Sequence, residues 1–327
     1  MTKKFNLFNK QYAARSWFVL FNTLFFILLM VIMIVPIWKI FCDSMINSTV
    51  YGMNLLPRGV DNDLSKSILK TLEAGIAEGD KVAKAAAEAQ ANLEATKWFN
   101  PVAYKMIISQ KSLYMPFLIS IYTTLVTTFL GLLISTLGAY VLIQREMPGV
   151  KLLGYAMLFT MMFNGGLIPT FLVMKNIGLL NSLWAVILPM SMNVYNLVLM
   201  RSFFEGIPSS LFEAAEIDGC TPMGIFVKIV LPLSKAALAS IGLFFAVAAW
   251  SEYFHYVIYI SNTDLYNFQY KLRDLFADKQ ESFDGIDINV NTLKSAAVIV
   301  SIVPFMFIYP FCQKYFMTGV TMGAVKE

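Results

Sequence analysis

The sequence predicts an all-α, polytopic membrane protein with six transmembrane helices. Hydrophobic residues make up 57% of the 327 residues, and the mean hydropathy is +0.63. Only 14% of the residues are charged, against about 25% in a typical soluble domain. About 20 apolar residues cross a bilayer, and lipid offers no partner for bare backbone amides, so each long apolar run is expected to be helical. The six runs are 17–40, 116–143, 152–174, 183–203, 236–260 and 294–317.

The first run is expected to remain in the chain as a transmembrane span. Lys3 and Lys4 precede it, but it is too long for the core of a signal peptide, and no small-residue cleavage site follows it. Because Lys and Arg favour cytoplasmic loops, residues 1–16 are expected inside, and counting six spans places the tail 318–327 inside as well. Basic residues in the intervening inner loops agree: Arg145, Lys151, Arg201, Lys228 and Lys235.

The segment 41–115 is therefore expected on the outer side, and it contains an unusual polar, alanine-rich insert at about 61–97. Alanine, Glu and Lys favour helix, and Gly75 and Gly79 are expected to divide the insert into two short helices. Two interpretations remain open. The insert is either a solvated helical hairpin or a dock for a partner on the outer side.

Metal sites are not predicted. The chain has a single histidine, and its three cysteines have no metal-ligand spacing. The outer loop 261–293 contains alternating oxygen ligands, which suggest calcium, but the glycine and the distal glutamate of a calcium loop are not in register. An ordinary polar turn is the preferred interpretation of this loop. The ligand-like residues are Asp284, Asp287, Asn289 and Asn291.

One short polar segment between two spans, residues 210–232, needs a separate explanation. Ser210 and Glu213 form a capping-box pattern, so a helix is expected to begin at Leu211. Gly219 suits the left-handed position that ends a helix. Thr221 and the proline after it are expected to start a second helix, which should end near Val230 because Pro232 disfavours helix at the preceding residue.

These two short helices are suited to contact with another protein. Ala214 and Ala215 leave room for close approach, and Glu216 and Asp218 place negative charge near the turn. The alternative is an ordinary amphipathic linker between two spans. No Gly-Lys dipeptide occurs in the chain, so it has no phosphate-binding loop of the GxxxxGK[ST] kind, and any ATP hydrolysis must occur in another chain.

The segment resembles the EAA coupling motif of ABC importer permeases. Glu213-Ala214-Ala215, Gly219 and Ile229-x-Leu231-Pro232 match that motif in order and spacing. The flanking runs 167–169, 201–204 and 206–208 also match the family, and the C-terminal runs 309–311, 313–316 and 319–326 resemble its carbohydrate-uptake branch. The resemblance covers nearly all of the chain except the insert.

The resemblance implies a type I ABC importer permease fold in the bacterial plasma (inner) membrane, with a permease core at 116–317 and both termini cytoplasmic. It implies a second homologous permease subunit, two cytoplasmic ABC ATPase subunits that use ATP and Mg, and an extracytoplasmic solute-binding protein. This chain itself would bind no cofactor. The residues expected to contact the ATPase are Glu213, Ala214, Ala215, Asp218, Gly219, Ile229, Leu231 and Pro232.

Polar residues inside spans are candidates for the substrate pathway, because such residues are costly in lipid. Aromatic faces with nearby amides or carboxylates suit sugars. The alternative is that these residues join helices or lie at the membrane interface. After Trp250 the sequence departs from the family pattern, which leaves the chemistry of that region open. The candidates are Asn164, Asn193, Tyr195, Asn196, Trp250, Glu252 and Tyr253, with His255 and Tyr256 beside them.

The predicted function is the permease subunit of an ATP-driven, binding-protein-dependent importer of sugars, in particular oligosaccharides. An importer of another polar solute, such as a peptide or amino acid, is the alternative. A membrane-embedded enzyme is disfavoured because the chain lacks HExxH and GxSxG motifs. An ion-coupled transporter would need charge pairs inside the spans, where only Glu252 stands out. The net charge of +4 is small and dispersed, so nucleic acid is not an expected partner.

Overall fold

The structure, a computed structural model, describes residues 10–45, 55–56, 58–60, 62–73, 84, 86–88, 90–91, 96–99, 101–144, 146–163, 165–277 and 290–324. It divides into two compact units. The first unit comprises residues 1–107 and 280–299, and the second comprises 108–279 and 300–327. Up to residue 107, the elements are α1 (Lys10–Ser44), β1 (Arg58–Val60), α2 (Asn62–Glu73), β2 (Thr96–Trp98) and α3 (Val102–Ser109).

In the remaining chain, all the regular secondary structure among the described residues is helical. Its membrane-associated helices are α4 (Lys111–Ile143), α5 (Val150–Met162), α6 (Leu167–Asn176), α7 (Trp184–Ser191) and α8 (Val194–Glu205). The polar segment forms α9 (Ser209–Ile217), α10 (Pro222–Ile225), a π-helix (Phe226–Val230) and α11 (Leu231–Leu233). After it come α12 (Lys235–Ser251), α13 (Phe254–Tyr259), a 3₁₀ turn (Thr263–Leu265), α14 (Phe268–Ala277) and α15 (Val290–Ala324).

Helix α1 confirms that the first apolar run is one long helix. Its stretch from Trp17 is apolar and exposed, as expected for a lipid-facing or partner-facing span. The end of α1 is hydrogen-bonded to α3 within the first unit, because the Ser44 hydroxyl lies 2.6 Å from the Tyr104 phenol oxygen. Burial raises the pKa of Tyr104, so the phenol stays protonated and keeps a hydrogen for this bond.

The insert is closed at its base by a feature that the sequence did not predict. Strands β1 and β2 pair antiparallel, with Arg58 opposite Trp98 and Val60 opposite Thr96. The two strands were not expected from the sequence, because three-residue strands are too short to show an alternating pattern. Helix α2 confirms the first predicted helix of the insert. Gly75 and Gly79, its predicted dividing residues, lie outside the described residues.

Helix α4 is the centre of the second unit, and α7, α8, α12 and α14 all pack against it. Small residues permit this close packing. A Cβ at Gly131 would lie 2.6 Å from a ring carbon of Phe245 on α12, and a Cβ at Gly138 would lie 2.7 Å from Leu197 on α8. Membrane helices gain little from hydrophobic burial against one another, so backbone approach of this kind is a main source of their cohesion.

Several predicted spans are broken rather than continuous. The run 152–174 is divided into α5 and α6, bent by 117°, and the helix through Leu233 meets α12 at 81°. The run 183–203 is divided into α7 and α8, and the run 236–260 is divided at Glu252. By length and composition, the described residues contain three helices that could cross a membrane, or up to five if each bent pair is one span. Hydropathy detects the length of an apolar run but not such breaks. An interruption of one or two polar residues, such as the one at Asn193, hardly changes the average over a long apolar run.

Candidate functional site

The site is built on the polar segment 209–233, here called the coupling segment. Its first helix, α9, begins at Ser209, with Pro208 at the N-cap position and no side-chain cap. The predicted capping box of Ser210 and Glu213 is therefore wrong. Pro208 has an extended backbone (ψ 131°), which ends the preceding turn early and leaves Ser210 inside the helix, where its hydroxyl does not cap.

The end of α9 confirms the prediction for Gly219. This residue is left-handed, with φ +76°, and the Cys220 amide donates to the Ala215 carbonyl at 2.9 Å while the Gly219 amide donates to Glu216 at 3.0 Å. These two bonds form a Schellman motif, which satisfies carbonyl groups at the helix end. The turn between the two coupling helices is thus fixed by backbone bonds.

The second coupling helix begins as predicted but ends later. The Thr221 hydroxyl accepts from the Gly224 amide at 3.2 Å, and Pro222 occupies the first turn. The prediction that helix stops near Val230 is wrong, because the chain passes through a π-helical turn and continues to Leu233. In that turn the Leu231 amide donates to the backbone carbonyl of Phe226, five residues earlier in the chain. The wider turn shifts the hydrogen-bond register just before Pro232, where a regular α-helix would meet a steric clash.

The inner side of the coupling segment is packed into a core of this chain. Buried Ala215, Ile225, Phe226 and Val230 contact residues from three membrane helices. Ala215 is only 6% exposed, so its side chain faces this core, and its contact with an ATPase stays a prediction. Ile229 and Leu231 are half-buried beside the same core, and Pro232 is exposed. The membrane-helix residues of the core are Ala139, Tyr140, Met200, Phe204, Ala237, Ile241 and Phe245.

The opposite side of the segment is exposed and combines acids with apolar side chains. Glu213, Ala214, Glu216, Asp218 and Gly219 are all exposed. Sequence reasoning missed the apolar part of this surface, where Ile217 is 86% exposed. Its position between two acids, Glu216 and Asp218, was the available signal. The other apolar members of this surface are Leu211, Met223 and Val227.

Three of the predicted pathway residues come together where α7 gives way to α8. Asn193 caps α8, and its side-chain oxygen accepts from the Asn196 amide at 3.0 Å. Two grooves, of about 460 Å³ and 220 Å³, meet at this break and share Met192 and Asn193. Tyr195 is 56% exposed in the larger groove, whereas Asn196 is buried. An exposed phenol and an exposed amide beside apolar walls form a surface of the kind that suits a sugar.

Trp250 is a packing residue in this structure. It is 4% exposed, and its indole nitrogen donates to the Ser301 carbonyl at 3.1 Å. The rings of Phe117 and Phe305 meet it edge-on. Tyr256 is likewise buried, with its hydroxyl 3.1 Å from the Thr123 hydroxyl. Neither side chain is open to a passing solute.

Glu252 and Tyr253 lie at the break between α12 and α13 and do not join the groove at Asn193. The Glu252 carboxylate accepts from the His255 amide at 2.9 Å, and so satisfies one amide in the first turn of α13. The Arg273 guanidinium lies 4.6 Å from the centre of the Tyr253 ring. Asn164, the remaining predicted residue, lies outside the described residues.

Within the described residues, no group of three or more His, Cys, Asp or Glu side chains is arranged to hold a metal ion. Three of the four oxygen ligands considered for calcium, Asp284, Asp287 and Asn289, lie outside those residues.

Comparison with known proteins agrees with this architecture. A family model described as "Binding-protein-dependent transport system inner membrane component" matches residues 10–321. The polygalacturonan/rhamnogalacturonan transport system permease protein YtcP of Bacillus subtilis (strain 168) is 41% identical over 235 residues, 70% of this chain and 82% of that protein. The arabinooligosaccharides transport system permease protein AraQ of Halalkalibacterium halodurans is 29% identical over 209 residues, 63% of this chain and 72% of that protein.

A solved structure extends the similarity beyond sequence. One chain of a bacterial ABC transporter involved in the import of the acidic polysaccharide alginate superposes with a TM-score of 0.75 and 26% identity. The match covers 93% of this chain and 98% of that one. Fold, motif and family model therefore agree over most of the sequence. The chain belongs to the family of binding-protein-dependent transport system inner membrane components.

Proposed function

We propose that this chain is a permease subunit of an ATP-driven importer of oligosaccharides, and that its substrates contain acidic sugars. The relatives support the substrate class, since one is named for polygalacturonan and the solved neighbour belongs to an importer of an acidic polysaccharide. The observation that carries the proposal is the two-sided coupling segment. Its inner side is fixed to three membrane helices, and its outer side is left open to another protein.

The exposed surface of the coupling segment is the proposed contact with an ABC ATPase. Glu213, Asp218 and Gly219 keep their predicted roles there, and Ile217 adds an apolar contact at the centre. The partner ATPase dimer binds ATP and Mg, closes when ATP is bound and reopens after hydrolysis. Because the segment is packed rigidly against the spans, its displacement shifts the population between inward-open and outward-open states.

The rest of the importer follows from the same assignment. A second, homologous permease subunit covers exposed apolar helix surfaces, and a solute-binding protein delivers the oligosaccharide on the outer side. Both termini and the coupling segment lie on the cytoplasmic side of the plasma membrane. The groove at Asn193 and Tyr195 is the proposed contribution of this subunit to the solute pathway.

The assignment is tested by ATP hydrolysis in the complete importer reconstituted in liposomes. The binding protein is supplied loaded with trigalacturonate, with arabinotriose or with a tripeptide, or is supplied empty. Trigalacturonate is expected to stimulate hydrolysis most. Stimulation by arabinotriose alone would replace the acidic class with neutral oligosaccharides, and stimulation by the tripeptide alone would overturn the assignment to sugars.

The insert is proposed to dock the solute-binding protein, and its two-stranded base makes this testable. Val60 and Thr96 are paired neighbours, so residues 61–95 can be replaced by an Asn-Gly turn that keeps both strands. The variant is expected to retain basal ATP hydrolysis but to need about ten-fold more loaded binding protein for half-maximal stimulation, the cost of about 1.4 kcal/mol of lost contact. An unchanged dependence on binding protein would favour the solvated hairpin.

A further inference from the structure

Tyr140 connects the coupling segment to the longest uninterrupted helix of the second unit. Its phenol donates to the carbonyl of Pro222 at 2.8 Å, across 82 positions of sequence. Its ring lies 4.9 Å from the ring of Phe226, at the end of the same short helix. The side chain is 8% exposed, so one buried residue holds both ends of α10.

The opposite end of α4 holds different elements. The Ser120 hydroxyl accepts from the Phe268 amide at 2.9 Å, at the start of α14. The Thr123 hydroxyl lies 3.1 Å from the hydroxyl of Tyr256 on α13. At 1.5 Å per residue, Ser120 and Tyr140 are separated by about 30 Å, the thickness of the hydrocarbon layer.

Helix α4 differs from its neighbours in being continuous. Within residues 108–279 of the described chain, it alone is long and apolar enough to cross a membrane without a break. The other two candidates in that range are bent by 117° and by 81°. A continuous helix transmits a displacement along its axis, whereas a bent pair absorbs part of it at the break.

We propose that Tyr140 is a positioning residue that transfers the displacement of the coupling segment to α4, and that α4 carries it to α14 through Ser120. This inference rests on the proposed function, because it presumes an ATPase acting on the coupling segment. Tyr140 lies outside the motif by which that segment is recognised. The hydroxyl transmits the movement because it bonds a backbone carbonyl, which moves with the helix rather than as a flexible side chain.

The test follows movement of α14 directly, so it does not depend on knowing the solute. A cysteine at Ala277, an exposed position at the end of α14, carries an environment-sensitive fluorophore in a chain whose Cys42, Cys220 and Cys312 are replaced by alanine. The complete importer is reconstituted, and the fluorescence change on adding Mg-ATP and vanadate is measured. ATP hydrolysis is measured in the same samples without vanadate.

Tyr140→Phe removes one hydroxyl and keeps the ring contact with Phe226. Since one hydrogen bond contributes about 0.5–1.5 kcal/mol, the fluorescence change is expected to fall about two- to twelve-fold at equal ATP hydrolysis. Ser120→Ala is expected to give the same loss, and the double variant no larger a loss than the greater of the two. Tyr122→Phe is the matched control on the same helix, because Tyr122 is 49% exposed, and it should leave the signal unchanged.

Two negative results are distinguishable. An unchanged signal in Tyr140→Phe or in Ser120→Ala, with a clear signal in the parent chain, would overturn the route through α4 and leave the proposed function intact. Absence of any nucleotide-dependent signal and of ATP hydrolysis in the assembled parent complex would overturn the proposed function together with this inference.

Discussion

Replacement of Gly219 by aspartate is expected to reduce uptake about ten-fold or more while the subunit remains in the membrane. Gly219 has φ +76°, a conformation in which an L side chain costs about 1–2 kcal/mol. A Cβ there meets nothing within 4 Å in this chain, so the new carboxylate projects outward beside Glu216 and Asp218. It therefore occupies the space in which the ATPase is proposed to approach.

A matched glycine separates backbone strain from lost contact. Gly178 has φ +72° and equally open surroundings, but it lies after α6 and outside the coupling segment. Gly178→Asp is expected to retain uptake, and Gly219→Ala to lose less than Gly219→Asp. Uptake and ATPase co-purification are measured for all three variants. Normal uptake and normal ATPase binding in Gly219→Asp would remove Gly219 from the proposed interface.

Replacement of Gly131 by leucine is expected to have the largest effect on stability. A Cβ at this position would be 2.6 Å from a Phe245 ring carbon, which is shorter than the contacts that Cβ atoms make in real proteins. The Phe245 ring is itself buried, so it has little room to move away. Overpacking of a fitted core costs about 1–3 kcal/mol, and here the remaining leucine atoms require still more space. The detergent-purified subunit is expected to melt at a lower temperature and to give less monodisperse protein.

The cause of that loss can be isolated by a second substitution. Phe245→Ala removes the ring that blocks the new side chain, so the double variant is expected to be more stable than Gly131→Leu alone. Gly154→Leu is the control within another helix, because a Cβ there meets nothing nearer than 3.9 Å. If Gly131→Leu melts at the same temperature as the parent protein, α4 and α12 do not pack as closely as described.

The parts of the coupling segment that depend on near neighbours were predictable. Gly219 ends α9 and Thr221 caps the next helix as expected, because such bonds join residues only a few positions apart. The same reasoning failed at Ser210, because Pro208 takes the N-cap position and the helix already begins at Ser209. It failed again at Pro232, because a π-helical turn accommodates the proline without ending the helix.

The pathway residues show a different kind of limit. Asn193, Tyr195 and Trp250 were all pathway candidates in the sequence, with Trp250 favoured over the other two, because each is a polar or aromatic residue in or near a span. The structure leaves the first two beside a groove and encloses Trp250 between Phe117 and Phe305. The difference arises from helices that are distant in sequence, which no spacing rule reports.

The sequence by itself determined that this chain is a helical membrane protein. It also determined which polar segment between the spans is the coupling segment, and to which family the motif in that segment belongs. Composition, apolar length and local capping carry this information because each acts over a few residues or over the whole chain. Only the tertiary structure decided that Ala215 faces inward, that Ile217 faces outward and that Tyr140 holds Pro222. These outcomes depend on which distant helices meet, and that is set by close packing at positions such as Gly131.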